Sequence, residues 1–441
     1  LVWTTFIPLY PLEEHCRSFS LPTANCNLPW DIRNCIQEAF EGMSNSIPNL
    51  RHLAAFRAAA QCGTLNGAAA VMHMTQPAVS QAIAALERDF GTALFERSST
   101  GSALTEAGRL CAARIERILA RLRDAIAEVA AGAQAAQRAG RGITATQLLA
   151  LTAVSDGGGF SAAAKTQGVT RATFHRSLRQ LEATLGTALL ETTSHGLRLT
   201  REAERLAVEV RLAAAEIAQA RAEVTAFAGA DRGGTVIGAM PLARSFIVPS
   251  AVLAFSVRWP GHSVAILDGP YESLLQALRL GRADVLVGAL RQEIPSDVLQ
   301  EHLFDDPLAI VVRAGHPLAV GGAGRVPKPD ELRSYAWIAP RPGSPLRRHY
   351  ESLIKTVAEG TGAAAIECNS LVAARAILLA SDRLMLLSAH QVRQELAVGQ
   401  LALLAHPLGR VTRAIGLTVR RGWIPTKAQR ELLEAIRACA T

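Results

Sequence analysis

Val79, Ile83 and Leu86 recur at intervals of four and three residues, and Phe174, Leu178 and Leu181 repeat that spacing 95 residues later. Such spacing puts three apolar side chains on one face of a helix. Thr75 stands just before the first set, where a hydroxyl oxygen can accept from the free amides of an opening turn. Pro77 falls in that turn, where its missing N–H costs little, and Gly91 ends the helix. Upstream, LRHLAAFRAAAQC predicts an apolar helix ending near Gly63. NGAAAVMHM predicts a short helix started by Asn66, whose small side chains let the next helix cross closely over it. Downstream, ALFERSSTGSALT predicts a two-stranded wing with Arg97 near its tip.

The whole pattern is duplicated. Between 75–105 and 170–200, twelve of 31 positions are identical, among them Thr75/Thr170, Glu87/Glu182, Gly91/Gly186 and Thr105/Thr200. The match continues upstream through Gly63/Gly158, Ala68/Ala163 and Ala69/Ala164. A fixed offset without gaps points to duplication of a small domain rather than to a solenoid. Each unit runs into a long Ala/Arg/Glu helix, over 105–135 and 200–228. On the first, Leu110, Ile115, Ile118, Leu122, Ile126 and Val129 leave an apolar stripe for a partner. AGRG at 139–142 is the expected hinge between the units.

From RGGTVIGAM onward the pattern changes to strand–helix alternation, which predicts an α/β domain of two lobes. Strands are expected over 235–240, 264–269, 283–290, 308–315, 335–340, 365–368, 383–389 and 414–420, with helices such as 271–281 and 370–380 between them. Ligands of such sheets bind beyond the carboxyl ends of strands, beside helix N-termini. That places the loops 239–245, 269–271, 341–347 and 369–371 around a cleft.

The chain of 441 residues is long enough for about three domains, and no apolar run reaches the length of a membrane span. Its net charge is +8; residues 1–47 carry −3 and the remainder +11. Only Lys165, Lys328, Lys355 and Lys427 are lysines, so the excess is arginine, whose planar fork suits phosphates and guanine edges. The excess permits nucleic-acid binding without proving it. Seven cysteines, three of them Cys16, Cys26 and Cys35, form no C-x-x-C and suggest reduced thiols rather than a disulfide framework or a metal site. The first 19 residues lack a basic n-region and a clean cleavage site, so no secretory signal is expected. Residues 1–42 precede the first methionine, Met43, and read as an upstream extension from a misplaced start, or else as an accessory arm.

The order of small-residue helix, capped helix and wing, with the motifs AA, TQPAVSQAI, LE, LFER and LTEAG, resembles the winged helix-turn-helix of LysR-type transcriptional regulators over 49–108. The resemblance implies that the helix starting at Thr75 enters a major groove of double-stranded DNA, with contacts from Thr75, Gln76, Pro77, Ser80, Gln81 and Arg97. In the second unit Gln76 becomes Arg171, Pro77 becomes Ala172, Ser80 becomes His175, Gln81 becomes Arg176, Ala84 becomes Arg179 and Arg97 becomes Thr192. The base-reading set is replaced by a basic face. Either the second unit holds DNA through phosphates, by Arg171, His175 and Arg176, or it is a spacer or dimerisation module with a solvated face.

Over about 233–440 the chain resembles the periplasmic-binding-protein-like effector domain of the same family. Markers include AGHPLA, PRPGSPLRR and GWIPTKAQ, the last within a run similar to the branch that regulates aromatic-acid catabolism and sugar-binding-protein genes. The expected cleft residues are Met240, Leu242, Arg244, Tyr271, Arg341, Ser344, Arg347, Asn369 and Ser388; of these Arg341 and Ser344, with the helix start after Pro345, suit an anion such as a carboxylate. AMPLAR lacks the Ser or Thr that many members place in that first loop.

The expected architecture is thus multidomain: two all-α winged helix-turn-helix units with long linker helices, then an α/β two-lobed, periplasmic-binding-protein-like domain. Its boundaries are 1–46 (extension), 47–108, 109–138, 143–203, 204–230 and 233–441. The resemblance implies a cytoplasmic, ligand-controlled DNA-binding regulator without a cofactor, assembled as a homodimer or homotetramer through its linker helices, although two such helices in one chain depart from the family's pattern. An enzyme is disfavoured because G-x-S-x-G, H-E-x-x-H and P-loop motifs are missing. A solute-binding protein without a regulatory DNA site is the alternative; the winged units argue against it.

Overall fold

The computed structural model describes residues 47–98, 101–157, 159–167, 170–194, 196–229, 233–320, 322, 324–357 and 366–440. The expectations for residues 1–46, Cys16, Cys26 and Cys35 included, lie outside these.

The first unit consists of α1 (Leu50–Cys62), α2 (Leu65–Met72), α3 (Gln76–Phe90) and a hairpin of β1 (Phe95–Ser98) and β2 (Gly101–Leu104). Its second helix starts one residue before Asn66, because Thr64 supplies the cap, its hydroxyl accepting from the Gly67 amide at 3.1 Å. In α3 the Thr75 hydroxyl accepts from the Ala78 amide, Pro77 lies in the first turn and Gly91 closes the helix in the left-handed region, φ 71°. Val79, Ile83 and Leu86 are buried as the spacing requires. Glu87 then joins helix to hairpin: its Oε1 accepts from the amides of Leu94 at 2.8 Å and Phe95 at 3.1 Å.

After the hairpin come α4 (Glu106–Val129) and α5 (Ala133–Gly142). The long helix expected to 135 therefore stops at Val129, and the chain turns at Gly132, whose φ of 89° is accessible to glycine. AGRG is not the hinge; it is the last turn of α5, and the turn at Gly132 comes before that helix rather than at its end.

The second unit comprises α6 (Ala145–Asp156), α7 (Phe160–Gln167), α8 (Arg171–Leu185), β3 (Leu190–Thr193) and β4 (Gly196–Leu199), followed by α9 (Arg201–Phe227). Individual bonds of the first unit recur in the second. Glu182 accepts from the Leu189 and Leu190 amides at the same 2.8 and 3.1 Å as Glu87 in the first unit. The Thr200 hydroxyl donates to the Ala188 carbonyl as the Thr105 hydroxyl donates to Ala93.

Helices α4 and α9 pack along each other. Ile115, Ile118, Leu122, Ile126 and Val129 of α4 share one core with Leu206, Val210, Ala213, Ile217 and Val224 of α9. The apolar stripe that was expected to meet a second subunit is covered by the same chain. Cys111 lies in this core; burial pushes its thiol up to about 12, so it stays protonated and inert.

The C-terminal region begins with β5 (Gly234–Ala239), α10 (Pro241–Ser245), α11 (Ile247–Arg258), β6 (Ser263–Leu267), α12 (Tyr271–Arg279), β7 (Val285–Ala289) and β8 (Val298–Arg313). It continues with α13 (Pro329–Arg333), β9 (Trp337–Ala339), α14 (Pro345–Val357), β10 (Ile366–Glu367), α15 (Leu371–Leu379), β11 (Leu384–Ser388), α16 (Arg393–Ala397), β12 (Leu401–Leu404), β13 (Thr412–Arg420) and α17 (Lys427–Ala440). The strand order is β10-β9-β11-β8-β13-β7-β5-β6, with β12 also on β8. The sheet is mixed: β5 runs parallel to β6 and β7, whereas β13 is antiparallel to β7 and β8.

Two separate apolar cores result. One surrounds β5, β7 and β13 with α11 and α17; the other surrounds β9, β11 and the end of β8 with α14 and α15. Strand β8 serves both, pairing with β13 up to Pro307 and with β11 from Leu308. Its first half and β12 were not anticipated. Among the described residues no helix is long and apolar enough to cross a membrane.

Candidate DNA interface and effector cleft

At the start of α3, Thr75, Gln76, Pro77 and Gln81 are exposed and Ser80 is half-buried. Val79, Ile83 and Leu86 are buried against the rest of the unit, and the opening turn of α3 is left at the surface with Gln76, Pro77 and Gln81 exposed. Thr75 is committed to its cap, leaving Gln76, Ser80 and Gln81 as the polar groups of the opening turns. A glutamine amide can pair bidentately with adenine. Arg97 sits on β1 opposite Ser102. The equivalent face of α8 exposes Arg171, Ala172, His175, Arg176 and Arg179. Arg179 pairs with Glu182 at 2.8 Å, and the His175 ring lies 6.1 Å from that of Phe160.

The cleft residues fall into two groups. Met240 and Leu242 are buried, and Tyr271 is half-buried at the start of α12, just past the carboxyl end of β6. Asn369 and Arg341 are exposed. The remaining four are already engaged. Arg244 pairs with Asp268. The Ser344 hydroxyl donates to the Arg341 carbonyl at 3.0 Å and accepts from the Arg347 amide at 3.2 Å, which makes it a helix cap. Arg347 is held by Glu351 at 2.7 Å, Glu367 at 3.0 Å and the Pro340 carbonyl at 2.9 Å. Ser388 is fully buried, donating to Asp306 at 2.5 Å.

Two residues absent from that set stand out. Arg291 follows the carboxyl end of β7, with its guanidinium carbon 4.2 Å from the centroid of the Tyr271 ring. The Tyr271 hydroxyl and the Arg291 Nε are both buried without a hydrogen-bond partner. Burial chiefly, and then the nearby Arg348 charge, hold Arg291 below its ordinary value, against the opposing pull of Tyr271 and Glu272. Arg348 is exposed on α14, within the other core's share of the domain. No carboxylate pairs with Arg291, Arg341 or Arg348 among the described residues. Arg348 ends the marker PRPGSPLRR and Arg291 follows β7, but that both sit where a strand ends or a helix begins is a position that only the topology reveals.

The C-terminal region is also fastened to the helices that carry the first two units. Arg114 of α4 donates to the Ile424 carbonyl at 3.2 Å. Asp156, at the end of α6, pairs with Arg211 of α9 and with Arg282. Gln219 of α9 bonds both Arg114 and the buried Asp284, whose carboxyl burial pushes up against the pull of Arg420.

Comparison with known proteins follows this division. The family described as "Bacterial regulatory helix-turn-helix protein, lysR family" matches residues 50–109 and again 145–204. The "LysR substrate binding domain" matches 228–440. The HTH-type transcriptional regulator GalR of Pseudomonas putida is 31% identical over 399 residues, covering 90% of this chain and 98% of that relative. The regulator PcaQ of Agrobacterium fabrum is 32% identical over 271 residues, 60% of this chain and 85% of its own. Full-length OxyR from Pseudomonas aeruginosa superposes with a TM-score of 0.50 at 20% identity, over 67% of this chain and 94% of that one, which speaks for the fold. Nothing here favours a solute-binding protein that lacks a regulatory DNA site. The chain belongs to the LysR family: it is a DNA-binding transcriptional regulator with helix-turn-helix segments at 50–109 and 145–204 and an effector-binding domain behind them.

Proposed function

We propose that both helix-turn-helix segments are winged units that touch DNA, and that a small anion in the C-terminal cleft controls them. In the first unit Gln76, Ser80 and Gln81 read base edges, with Thr75, Pro77 and Arg97 positioning the helix. In the second, Arg171, His175 and Arg176 hold phosphates. Gln76→Ala is expected to lose about 1–3 kcal/mol of binding at the specific site, measured by titration of a labelled operator; unchanged affinity contradicts base reading by α3. Arg171→Ala should lower affinity for every duplex alike and flatten the dependence on salt by about one phosphate contact. A salt slope equal to the parent's counts against phosphate binding and favours the spacer.

For the effector, the observation that carries the reading is the orphaned pair, Tyr271 hydroxyl and Arg291 Nε, facing a second uncommitted cation, Arg348. Buried polar groups ordinarily have partners, and an anion supplies acceptors for both. A carboxylate satisfies an arginine fork in bidentate fashion. Met240 and Leu242 form the apolar wall, Arg341 and Asn369 the rim, and Arg244, Ser344, Arg347 and Ser388 support the site through the bonds they already make. The domain acts as two lobes of periplasmic-binding-protein type joined across β8 and β13. An anion that bridges Arg291 and Arg348 favours the closed arrangement, and only that difference in affinity can move the DNA-binding units. The protein works in the cytoplasm, without catalysis. Among small carboxylates screened by thermal shift, the best binder should lose about 1.5–3 kcal/mol of affinity in Arg291→Ala, as for a hydrogen bond to a charged group. Equal affinity of parent and variant places the effector elsewhere.

A further inference from the structure

The contacts between α4 and α9 have an order. Arg114 pairs with Glu223 at 2.8 Å and Glu216 at 3.0 Å, Arg117 with Glu216 at 2.9 Å, Arg121 with Glu209, and Glu128 with Arg205 at 2.5 Å. Partner numbers fall along α9 as they rise along α4, so the helices are antiparallel. They are also the two copies of one repeat, and 95 residues separate equivalent positions. Arg114 is therefore equivalent to Glu209, and Arg121 to Glu216. The pairs Arg114–Glu216 and Arg121–Glu209 exchange with each other under a twofold rotation. Each unit also touches the long helix that follows the other unit, or its end. Asp89, at the end of α3, pairs with Arg221 of α9 at 2.7 Å. At the other end, the Leu185 carbonyl that ends α8 accepts from the Ala131 amide at 2.9 Å, and the Thr187 hydroxyl donates to the Val129 carbonyl at 2.7 Å.

The charges select this pairing. Two α4 helices brought together in the same way would set Arg114 against Arg121. Two α9 helices would set Glu209 against Glu216. Pairing α4 with α9 turns both of these like-charge contacts into ion pairs, which is how charged positions choose partners in helix pairs. At these two positions the copies have diverged so that each suits the other better than itself.

We propose that one copy of this chain is a complete two-headed DNA reader. Its two units are related by the twofold axis of α4 and α9, and it binds a non-palindromic site in one fixed orientation. A twofold pair of reading helices matches two half-sites on a duplex. Here the heads differ: α3 presents Gln76, Ser80 and Gln81, while α8 presents Arg171, His175 and Arg176. One half-site is strict in sequence and the other permissive. A homodimer would read both halves alike, because every residue of an isologous pair appears twice. The inference rests on the reading that both units touch DNA.

The pairing is tested without DNA. In full-length protein carrying Glu128→Cys with Arg205→Cys, a short bismaleimide should join the two positions in a product of one-chain mass, identified by the linked peptide. The same link in a product of two-chain mass overturns the inference, because the helices would then pair between copies. The asymmetry is tested on duplexes selected from a random library by the full-length protein. Gln76→Ala should abolish sequence preference in one half-site, weakening binding about tenfold or more, and leave the other half-site's preference and protection as they were. Loss of preference in both halves contradicts a single asymmetric reader. Failure of base reading itself shows separately, as equal affinity of parent and Gln76→Ala for the selected duplex, and does not touch the cross-link.

Discussion

Arg114→Ala is expected to destabilise the paired helices by about 3–5 kcal/mol, the range for removing one partner of a buried ion pair. Arg114 is 3% exposed, and its carboxylate partners Glu216 and Glu223 are 13% and 15% exposed. Burial opposes its charge, yet the bonds to Glu223 and Glu216 outweigh this and hold the guanidinium above its ordinary value. Removing it leaves Glu223 without a cation and Glu216 with Arg117 alone, in a site where little water can reach them. The loss also severs the bonds to Gln219 and to the Ile424 carbonyl, so the effector domain's hold on the helices loosens with it. Urea unfolding followed by helix circular dichroism measures the change. Replacing the pair that shares the strongest bond, Arg114→Met with Glu223→Leu, should restore most of the loss, because Glu216 keeps Arg117 and no buried charge is left unpaired. A single variant as stable as the parent contradicts this role for Arg114.

The second large effect is expected at Asp306. It lies on β8 beside the point where the strand changes partners, fully buried, accepting from Arg413 Nε at 2.8 Å and from Ser388. Asp306→Ala leaves the Arg413 cation and the Ser388 hydroxyl buried without it, a loss of about 3–5 kcal/mol. Asp306→Asn keeps an acceptor and the side-chain shape, and should lose less. The damage should centre on the effector domain: the carboxylate response goes first, while DNA binding without effector persists. Thermal unfolding of the two variants checks the order, and equal stability of parent and Asp306→Ala contradicts it.

Much of this architecture was legible because it is local. Thr75, Pro77, Gly91 and the apolar set Val79, Ile83 and Leu86 act within single turns of helix, and the repeat supplied the second unit from the first. Misplaced features depended on neighbours far along the chain. AGRG looked like a hinge because glycine disfavours helix, but α5 forms against α8, and Gly132 makes the turn. The first half of β8, LQEHLFDDP, is polar and ends in proline; it becomes a strand because β13 pairs with it along its length. Ser388 was expected to face a ligand but bonds Asp306, 82 residues away. The partner of the α4 stripe was hidden for a similar reason. The signal was present in Arg114, Arg117 and Arg121 against Glu209, Glu216 and Glu223, but it shows only when the two copies are laid antiparallel. Arg348 stands in the marker PRPGSPLRR, but its relation to Arg291 is not written locally: the two lie far apart in sequence, one after a strand end and the other near a helix start.

In the proposed arrangement one chain reads DNA with two unlike heads. The most direct test is a hydroxyl-radical footprint on a library-selected duplex, comparing the parent with a variant carrying Arg171→Ala, Arg176→Ala and Arg179→Ala, at several salt concentrations. The variant should lose protection over the permissive half-site and keep it over the strict one, more clearly as salt rises. Identical footprints at every salt concentration would contradict it and leave the second unit as architecture alone.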